Sequence, residues 1–141
     1  MAECGGFLYL GRSLEDADGK VWPMADVLPG DGIRVGRLVR FGYAEMTAKA
    51  DSMLFCAGET LPIHEFHHWD STANGTAFTA CKNEKMQWEC GFANENFYAL
   101  PAFILGGHAP AGPLCARGRT IQQNKRMTKM TETELNALFG G

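Results

Sequence analysis

The chain lacks the sequence features of several large classes of protein. It has no apolar run of roughly 18 residues that could cross a membrane as a helix. Its first residues lack the basic and apolar regions of a secretory signal. No Gly-x-x-x-x-Gly-Lys-Ser/Thr phosphate-binding loop occurs, which excludes ATP binding by that route. We therefore expect a cytoplasmic location and no membrane partner.

The composition shows no excess of charge and no pattern of paired cysteines. Charged residues make up 21% of the 141 residues and the net charge is -3, which argues against a nucleic-acid partner. The five cysteines include no Cys-x-x-Cys pair, which argues against a thiolate zinc site. An apolar fraction of 45% at this length suffices for the core of one domain at most.

Residues 2–11, Ala-Glu-Cys-Gly-Gly-Phe-Leu-Tyr-Leu-Gly, place Cys4 directly before Gly5 and Gly6. This order is typical of a nucleophile elbow, a sharp strand-to-helix turn that exposes an attacking side chain. The glycines would let a substrate approach closely, and the first N–H groups of the helix would lower the thiol pKa and stabilise an oxyanion. The alternative is a small buried thiol near a turn.

Hydrophobic patterns along the rest of the chain predict an α/β fold. They indicate a helix over residues 5–16, then a short extended piece and a loop over 20–30. Strands are expected around 37–47, 63–69, 76–81 and 87–91, and another begins at 97. A short helix is the alternative for the first of these strands.

Three histidines and a glutamate lie within residues 64–68. In a strand, His64 and His68 face one side of the sheet, while Glu65 and His67 face the other. A zinc site is an alternative, but ligands on alternating faces do not converge, so we expect no metal. The favoured interpretation is a strand that lines the active-site cleft, with imidazoles bonded to neighbours or substrate.

Five segments in a fixed order resemble one family of enzymes. They are residues 2–11, 11–19, 22–30, 37–45 and 64–71, and they include Trp-Pro-Met-Ala-Asp, Arg-Phe-Gly-Tyr-Ala-Glu and His-Glu-Phe-His-His-Trp-Asp. Over about residues 2 to 99 the chain resembles the cobyrinate/cobyrate-type class I glutamine amidotransferases, as found at the C-terminus of the cobyrinate a,c-diamide synthases. The resemblance implies a flavodoxin-like amidotransferase fold with a mixed sheet. We expect that fold to be partial, with its N-terminal half missing.

The resemblance also implies a reaction in cobalamin biosynthesis. Cys4 would be the nucleophile that attacks the side-chain amide of glutamine, and Gly5, Gly6 and His64 would bind the substrate or its oxyanion. The ammonia released would pass to a synthetase domain that uses ATP and Mg²⁺ to amidate carboxylates of a corrinoid. That domain is not expected here, so this chain itself should hold no cofactor and no metal.

The resemblance ends at about residue 99. Ala102 or a neighbour occupies the position of the histidine that activates the nucleophile in the family. His108 is then the tentative base and His67 the alternative. We expect residues 1–99 to be the C-terminal part of an amidotransferase domain and residues 100–141 to be a divergent, poorly ordered tail. The alternative function is a non-catalytic remnant that only associates with a partner domain, and the unpaired sheet edge suggests a homo-oligomer.

Overall fold

The computed structural model describes residues 1–83 and 85–105, which form ten strands and one short helix. In chain order the elements are β1 (Ala2–Glu3), α1 (Gly5–Tyr9), β2 (Ser13–Glu15), β3 (Val21–Pro23), β4 (Asp31–Ala48), β5 (Thr60–Ser71), β6 (Phe78–Lys82), β7 (Met86–Cys90), β8 (Phe92–Ala93), β9 (Tyr98–Leu100) and β10 (Phe103–Ile104). These strands form two sheets.

The smaller sheet has the strand order β1-β9-β8 and carries the predicted elbow. Strand β1 is parallel to β9, with Ala2 opposite Ala99 and Glu3 opposite Leu100. Strand β8 is antiparallel to β9. A strand of only two residues is therefore held in place by a partner from the other end of the described chain.

The larger sheet is mixed, and its centre is the long strand β4. One end of β4 is parallel to β2, the other end is antiparallel to β6, and β5 pairs antiparallel with it along most of its length. The register between β4 and β5 shifts twice, between Arg34 and Val39 and between Val39 and Gly42. Such bulges bend a strand and increase its twist, so the sheet curls.

The core lies mainly against one face of the larger sheet. Its buried members are Ala44, Met46, Ala48, Phe55, Leu61, Ile63, Phe78, Ala80, Cys90, Tyr98, Leu100 and Ala102. The rings of Phe55, Phe78 and Tyr98 pack with centroids 5.1 to 6.1 Å apart. A second cluster of Phe7, Leu28 and Ala99 fixes α1 on the smaller sheet.

The fold class and the predicted strands are confirmed, and no helix forms at residues 37–47. The helix predicted over residues 5–16 is wrong, because α1 ends at Tyr9 and Ser13–Glu15 is a strand. At Gly11 the chain approaches residue 30 so closely that a Cβ would lie 2.7 Å from the Gly30 carbonyl oxygen. The pairing of Ser13–Glu15 with β3 and β4 then outweighs the helical spacing of the leucines.

Residues beyond 99 continue the packed structure. Leu100 and Ala102 are fully buried, and β10 pairs antiparallel with β5. The rest of the predicted tail, residues 106–141, lies outside the described residues, and so does His108.

Candidate functional site

Cys4 occupies a sharp turn between β1 and α1. Its N–H donates to the Leu100 carbonyl at 3.0 Å, and its backbone has φ 49° and ψ -113°. This conformation is rare for a residue with a Cβ and costs about 1–3 kcal/mol, so the surrounding structure must enforce it. The two strand pairs that anchor β1 to β9 supply that constraint. The expected strand-to-helix turn is therefore present.

The backbone at Gly5, the first residue of α1, leaves open space on its Cβ side. The Cys4 carbonyl accepts hydrogen bonds from the N–H groups of Phe7 at 3.0 Å and Leu8 at 3.3 Å. A Cβ built on Gly5 would meet no heavy atom within 4 Å, whereas one on Gly6 would lie 3.4 Å from the Ala2 Cβ. A substrate carbonyl could thus approach the backbone at Gly5 without a steric clash.

The pKa of the Cys4 thiol is raised above its ordinary value. Burial is the main cause, the Gly5 N–H opposes it, and the negative charges of Glu3 and Glu65 raise the pKa further. The expectation that the helix N-terminus lowers this pKa is therefore wrong for the net effect. A thiol in this setting stays protonated at neutral pH and needs a base to attack.

Cys4 lies at a small cavity built from three parts of the chain. The elbow, the end of β5 with the turn after it, and the segment before β10 contribute the lining residues Cys4, Phe7, Leu8, His67, Trp69, Asp70, Ser71, Asn74 and Pro101. The cavity volume is about 10 Å³, which is room for about one water molecule. The lining side chains must move apart before a larger ligand binds.

His67 enters this cavity wall from β5, on the side of the strand that also carries Glu65. Its Nδ1 contacts the Trp69 carbonyl oxygen, and because a carbonyl only accepts, Nδ1 bears the proton. Its Nε2 lies 3.6 Å from Oε2 of Glu65, whose side chain is fully buried. Burial lowers the pKa of His67, but the Glu65 carboxylate and the Trp69 carbonyl outweigh it and raise the pKa above its usual value.

Arg40 connects the two carboxylates near the cavity. Its Nε donates to Glu65 Oε2 at 3.1 Å and its Nη2 donates to Asp70 Oδ1 at 2.8 Å. Arg40 has φ 47° and lies where the register of β4 shifts. The bulge thus directs its guanidinium between the two acids, which orients both.

Asp70 and Asn74 form a hydrogen-bonded turn after β5. Asp70 Oδ1 also accepts from the Ser71 N–H at 2.8 Å and from Asn74 Nδ2 at 2.9 Å. Asn74 Nδ2 donates a second bond to the Ser71 carbonyl at 3.1 Å. The remaining amide oxygen of Asn74 is buried and has no hydrogen-bond partner in the described part of the chain.

The predicted site residues lie in different places. Gly5 and Gly6 lie at the elbow and His67 lines the cavity with Cys4. His64 lies on the opposite face of β5, with its ring centroid 4.9 Å from that of Tyr43, and does not line this cavity.

The sequence patterns assign no site role to Arg40, Asp70 or Asn74, and they involve Glu65 only for its face of the strand and as a ligand of the alternative zinc site. The shared face of Glu65 and His67 in the alternating strand was the available signal for that pair. No local pattern distinguishes Asn74, which reaches the cavity through a turn. Within residues 1–83 and 85–105, no three His, Cys, Asp or Glu side chains are grouped so as to hold a metal ion.

The one helix of the described residues is too short to cross a membrane.

The comparison with family profiles and the comparison with individual proteins indicate the same family. The profile of the CobB/CobQ-like glutamine amidotransferase domain matches residues 1–99. Proteins named cobyrinate a,c-diamide synthase are similar to the chain. The one from Salmonella typhimurium is 38% identical over 70% of this chain and 22% of its own length. The one from Thermoplasma acidophilum is 44% identical over 73% of this chain and 24% of its own length. No solved structure gave a significant match.

Proposed function

Because the chain belongs to the family of CobB/CobQ-like glutamine amidotransferase domains, we propose that Cys4 hydrolyses the side-chain amide of glutamine and releases ammonia. The observation that carries this proposal is that the family match includes a cysteine held in a strained strand-to-helix turn, in one cavity with a histidine. A strained, constrained backbone is frequent at residues that react.

The first half of the reaction forms a thioester. His67 Nε2 takes the proton of the Cys4 thiol while the sulfur attacks the carbonyl carbon of the glutamine amide. Backbone N–H groups at Gly5 and Gly6 stabilise the oxyanion of the tetrahedral intermediate. The intermediate collapses, the C–N bond breaks, and the leaving nitrogen takes the proton from His67 and departs as ammonia. Water then attacks the thioester with His67 as base, which releases glutamate and the free thiol.

Glu65 and Trp69 prepare His67 for this role. The contact between Nδ1 and the Trp69 carbonyl leaves Nε2 as the free acceptor. When Nε2 takes a proton, the buried Glu65 carboxylate 3.6 Å away stabilises the imidazolium. His108 stays the other candidate base.

Glutaminase activity of the purified chain tests this proposal. We expect glutamate release that is abolished in Cys4→Ser and reduced about 10²-fold or more in His67→Asn. His68→Asn is the matched control, because His68 is exposed on the other face of β5. Activity that survives Cys4→Ser would contradict the proposal, and activity that is lost in His108→Asn but kept in His67→Asn would assign the base to His108.

The chain spans about a quarter of the length of the relatives it matches. We propose that the ammonia serves the ATP-dependent amidation of corrinoid carboxylates that the names of those relatives suggest, on residues outside this chain. ATP and Mg²⁺ would be bound there. Exposed aromatic side chains on β4 and β5, Phe41, Tyr43 and Phe66, support association with such a partner or with a second copy. The cytoplasmic location stays a prediction.

Two observations favour a non-catalytic role as the second candidate. The pKa of the Cys4 thiol is raised and the unliganded cavity is small, as expected of a domain that binds a partner without hydrolysing glutamine. An association assay separates the candidates, because Cys4→Ser would leave a purely structural function intact while it abolishes an enzymatic one.

A further inference from the structure

An extra residue in β4 turns the Arg40 side chain towards Glu65 and His67. Val39 lies opposite His67 and Gly42 opposite Glu65, and between these two pairs β4 has two residues where β5 has one. Side chains alternate along a regular strand, so the residue after Val39 would point to the other face of the sheet. Arg40 instead has φ 47° and bonds to Glu65. The β-bulge thus re-aims a side chain, as bulges next to active sites often do.

Phe41 is the other residue of the bulge, and it takes the outward direction. Its ring packs edge-on against that of Phe66, with centroids 5.5 Å apart, and its side chain is half exposed. The Phe41 carbonyl accepts a hydrogen bond from the Lys82 ammonium on the neighbouring strand β6. These contacts hold the bulge from outside and leave Arg40 as its inward-pointing member.

Arg40 and His67 face the same buried carboxylate. Oε2 of Glu65 accepts from Arg40 Nε at 3.1 Å and lies 3.6 Å from His67 Nε2. Neither Nε2 of His67 nor Oε1 of Glu65 has a hydrogen-bond partner among the described residues. The guanidinium and the imidazole are therefore the two groups that can compensate the charge of Glu65.

A buried carboxylate that loses its cation takes up a proton or draws one onto a neighbour. In the absence of Arg40, that proton would lie on His67 Nε2, or on Glu65 with Nε2 as its acceptor. Both arrangements occupy the lone pair of Nε2. This lone pair has to receive the Cys4 proton in the proposed reaction, so the base would be lost.

The other titratable groups that line the cavity with His67 are the Asp70 carboxylate and the Cys4 thiol, and neither is a cation. Asp70 Oδ1 accepts from Arg40 Nη2 at 2.8 Å, so two nitrogens fix the guanidinium in place. Burial and the Arg40 charge lower the pKa of His67, against the opposing effect of Glu65. Arg40 is thus the charged group that counteracts Glu65.

We propose that Arg40 is a positioning residue, which keeps the Glu65 carboxylate ionised and bonded to its guanidinium, so that His67 Nε2 stays free to accept a proton. Arginine suits this place because its planar fork binds two carboxylates at once, whereas an ammonium is a single point charge. The inference rests on the proposed function, because it explains how His67 is kept as a base.

The proton on His67 is measured directly, by nuclear magnetic resonance of the unliganded full chain with isotope-labelled histidine. His67→Asn assigns its signal among the four histidines. In Arg40→Gln, which removes the charge, we expect the titration midpoint of His67 to rise by about one pH unit or more. Arg40→Lys keeps the charge and should restore most of the shift. Arg37→Gln, at an exposed position of the same strand, is the matched control and should leave the midpoint unchanged.

Activity supplies a second measurement. Below the His67 midpoint, kcat/KM of Arg40→Gln for glutamine should be about tenfold lower than that of the unsubstituted chain and should recover at higher pH. A merely structural role for Arg40 predicts a loss that persists at every pH.

The outcomes separate this inference from the proposed function. A His67 midpoint that is unchanged or lower in Arg40→Gln overturns the inference, whatever the activity. A chain without glutaminase activity contradicts the proposed function, and the titration still decides whether Arg40 controls the proton on His67. If Arg40→Gln does not fold, the side-chain carboxyl signal of Glu65 in the unsubstituted chain decides, because a proton on Glu65 at neutral pH contradicts the inference and a carboxylate supports it.

Discussion

The Tyr98 hydroxyl donates a 3.0 Å hydrogen bond to Glu3 Oε1. Glu3, on β1, directly precedes Cys4. Tyr98, on the parallel strand β9, is fully buried in the core. The bond therefore links the packing of the large hydrophobic cluster directly to the residue that precedes the elbow.

Removing this bond should loosen the elbow without leaving a cavity. Tyr98→Phe is expected to lower the free energy of unfolding by about 1–2 kcal/mol, because the ring is kept and only one bond to a carboxylate is lost. Chemical denaturation measures this difference. Tyr9→Phe, at an exposed position, is the control. A loss no larger than that of the control would mean that the bond does not stabilise the fold.

The strain at Cys4 should appear as a gain in stability when it is relieved. Cys4→Gly and Cys4→Ala both remove the thiol, but only glycine adopts φ 49° and ψ -113° without steric cost. After the greater entropy of glycine in the unfolded chain is subtracted, we expect Cys4→Gly to be more stable than Cys4→Ala by about 1 kcal/mol. A less stable glycine variant would show that the turn is unstrained.

The two raised pKa values at the site predict the pH dependence of its reactivity. Alkylation of Cys4 by iodoacetamide in the unliganded chain should rise with a midpoint above pH 9, since the thiol pKa is raised from 9.0. Peptide mapping distinguishes Cys4 from the other thiols.

The acid limb of kcat/KM for glutamine should have its midpoint above pH 6.5, because His67 must be neutral to act as base. His67→Asn should remove that limb, and a limb that persists in this variant would point to another base.

The buried thiol of Cys90 should make the fold sensitive to alkali. Burial raises its pKa from 9.0 to about 12, so between these values the unfolded chain loses the proton and the folded chain keeps it. Stability is therefore complete below pH 9 and is lost as the pH rises towards 12. From pH 9 to 10.5 we expect Cys90 to contribute a loss of about 2 kcal/mol. This loss should be absent in Cys90→Ala, and equal slopes of stability against pH in the two chains would contradict the assignment.

Local sequence patterns predicted those parts of the fold that local pairing determines. The hairpin of β6 and β7 follows from two β-favouring runs around a polar turn, and the opposite faces of β5 follow from its period of two. The end of α1 at Tyr9 depends on the approach of residue 30 to Gly11, which no local pattern contains. The strand-to-helix turn at Cys4 was predictable from its glycines together with the family resemblance of the five segments, whereas Asn74 and Arg40 reach their partners through a turn and a bulge.

The parallel pairing of β1 with β9 joins Ala2 to Ala99, 97 positions further along the chain. Closing a flexible loop of that length costs about 4 kcal/mol of chain entropy, which two strand pairs recover only once the core around Tyr98 has packed. During synthesis Cys4 leaves the ribosome long before residue 100 exists. Within the described chain, the candidate nucleophile is thus among the first residues to be made and among the last to acquire its reactive geometry.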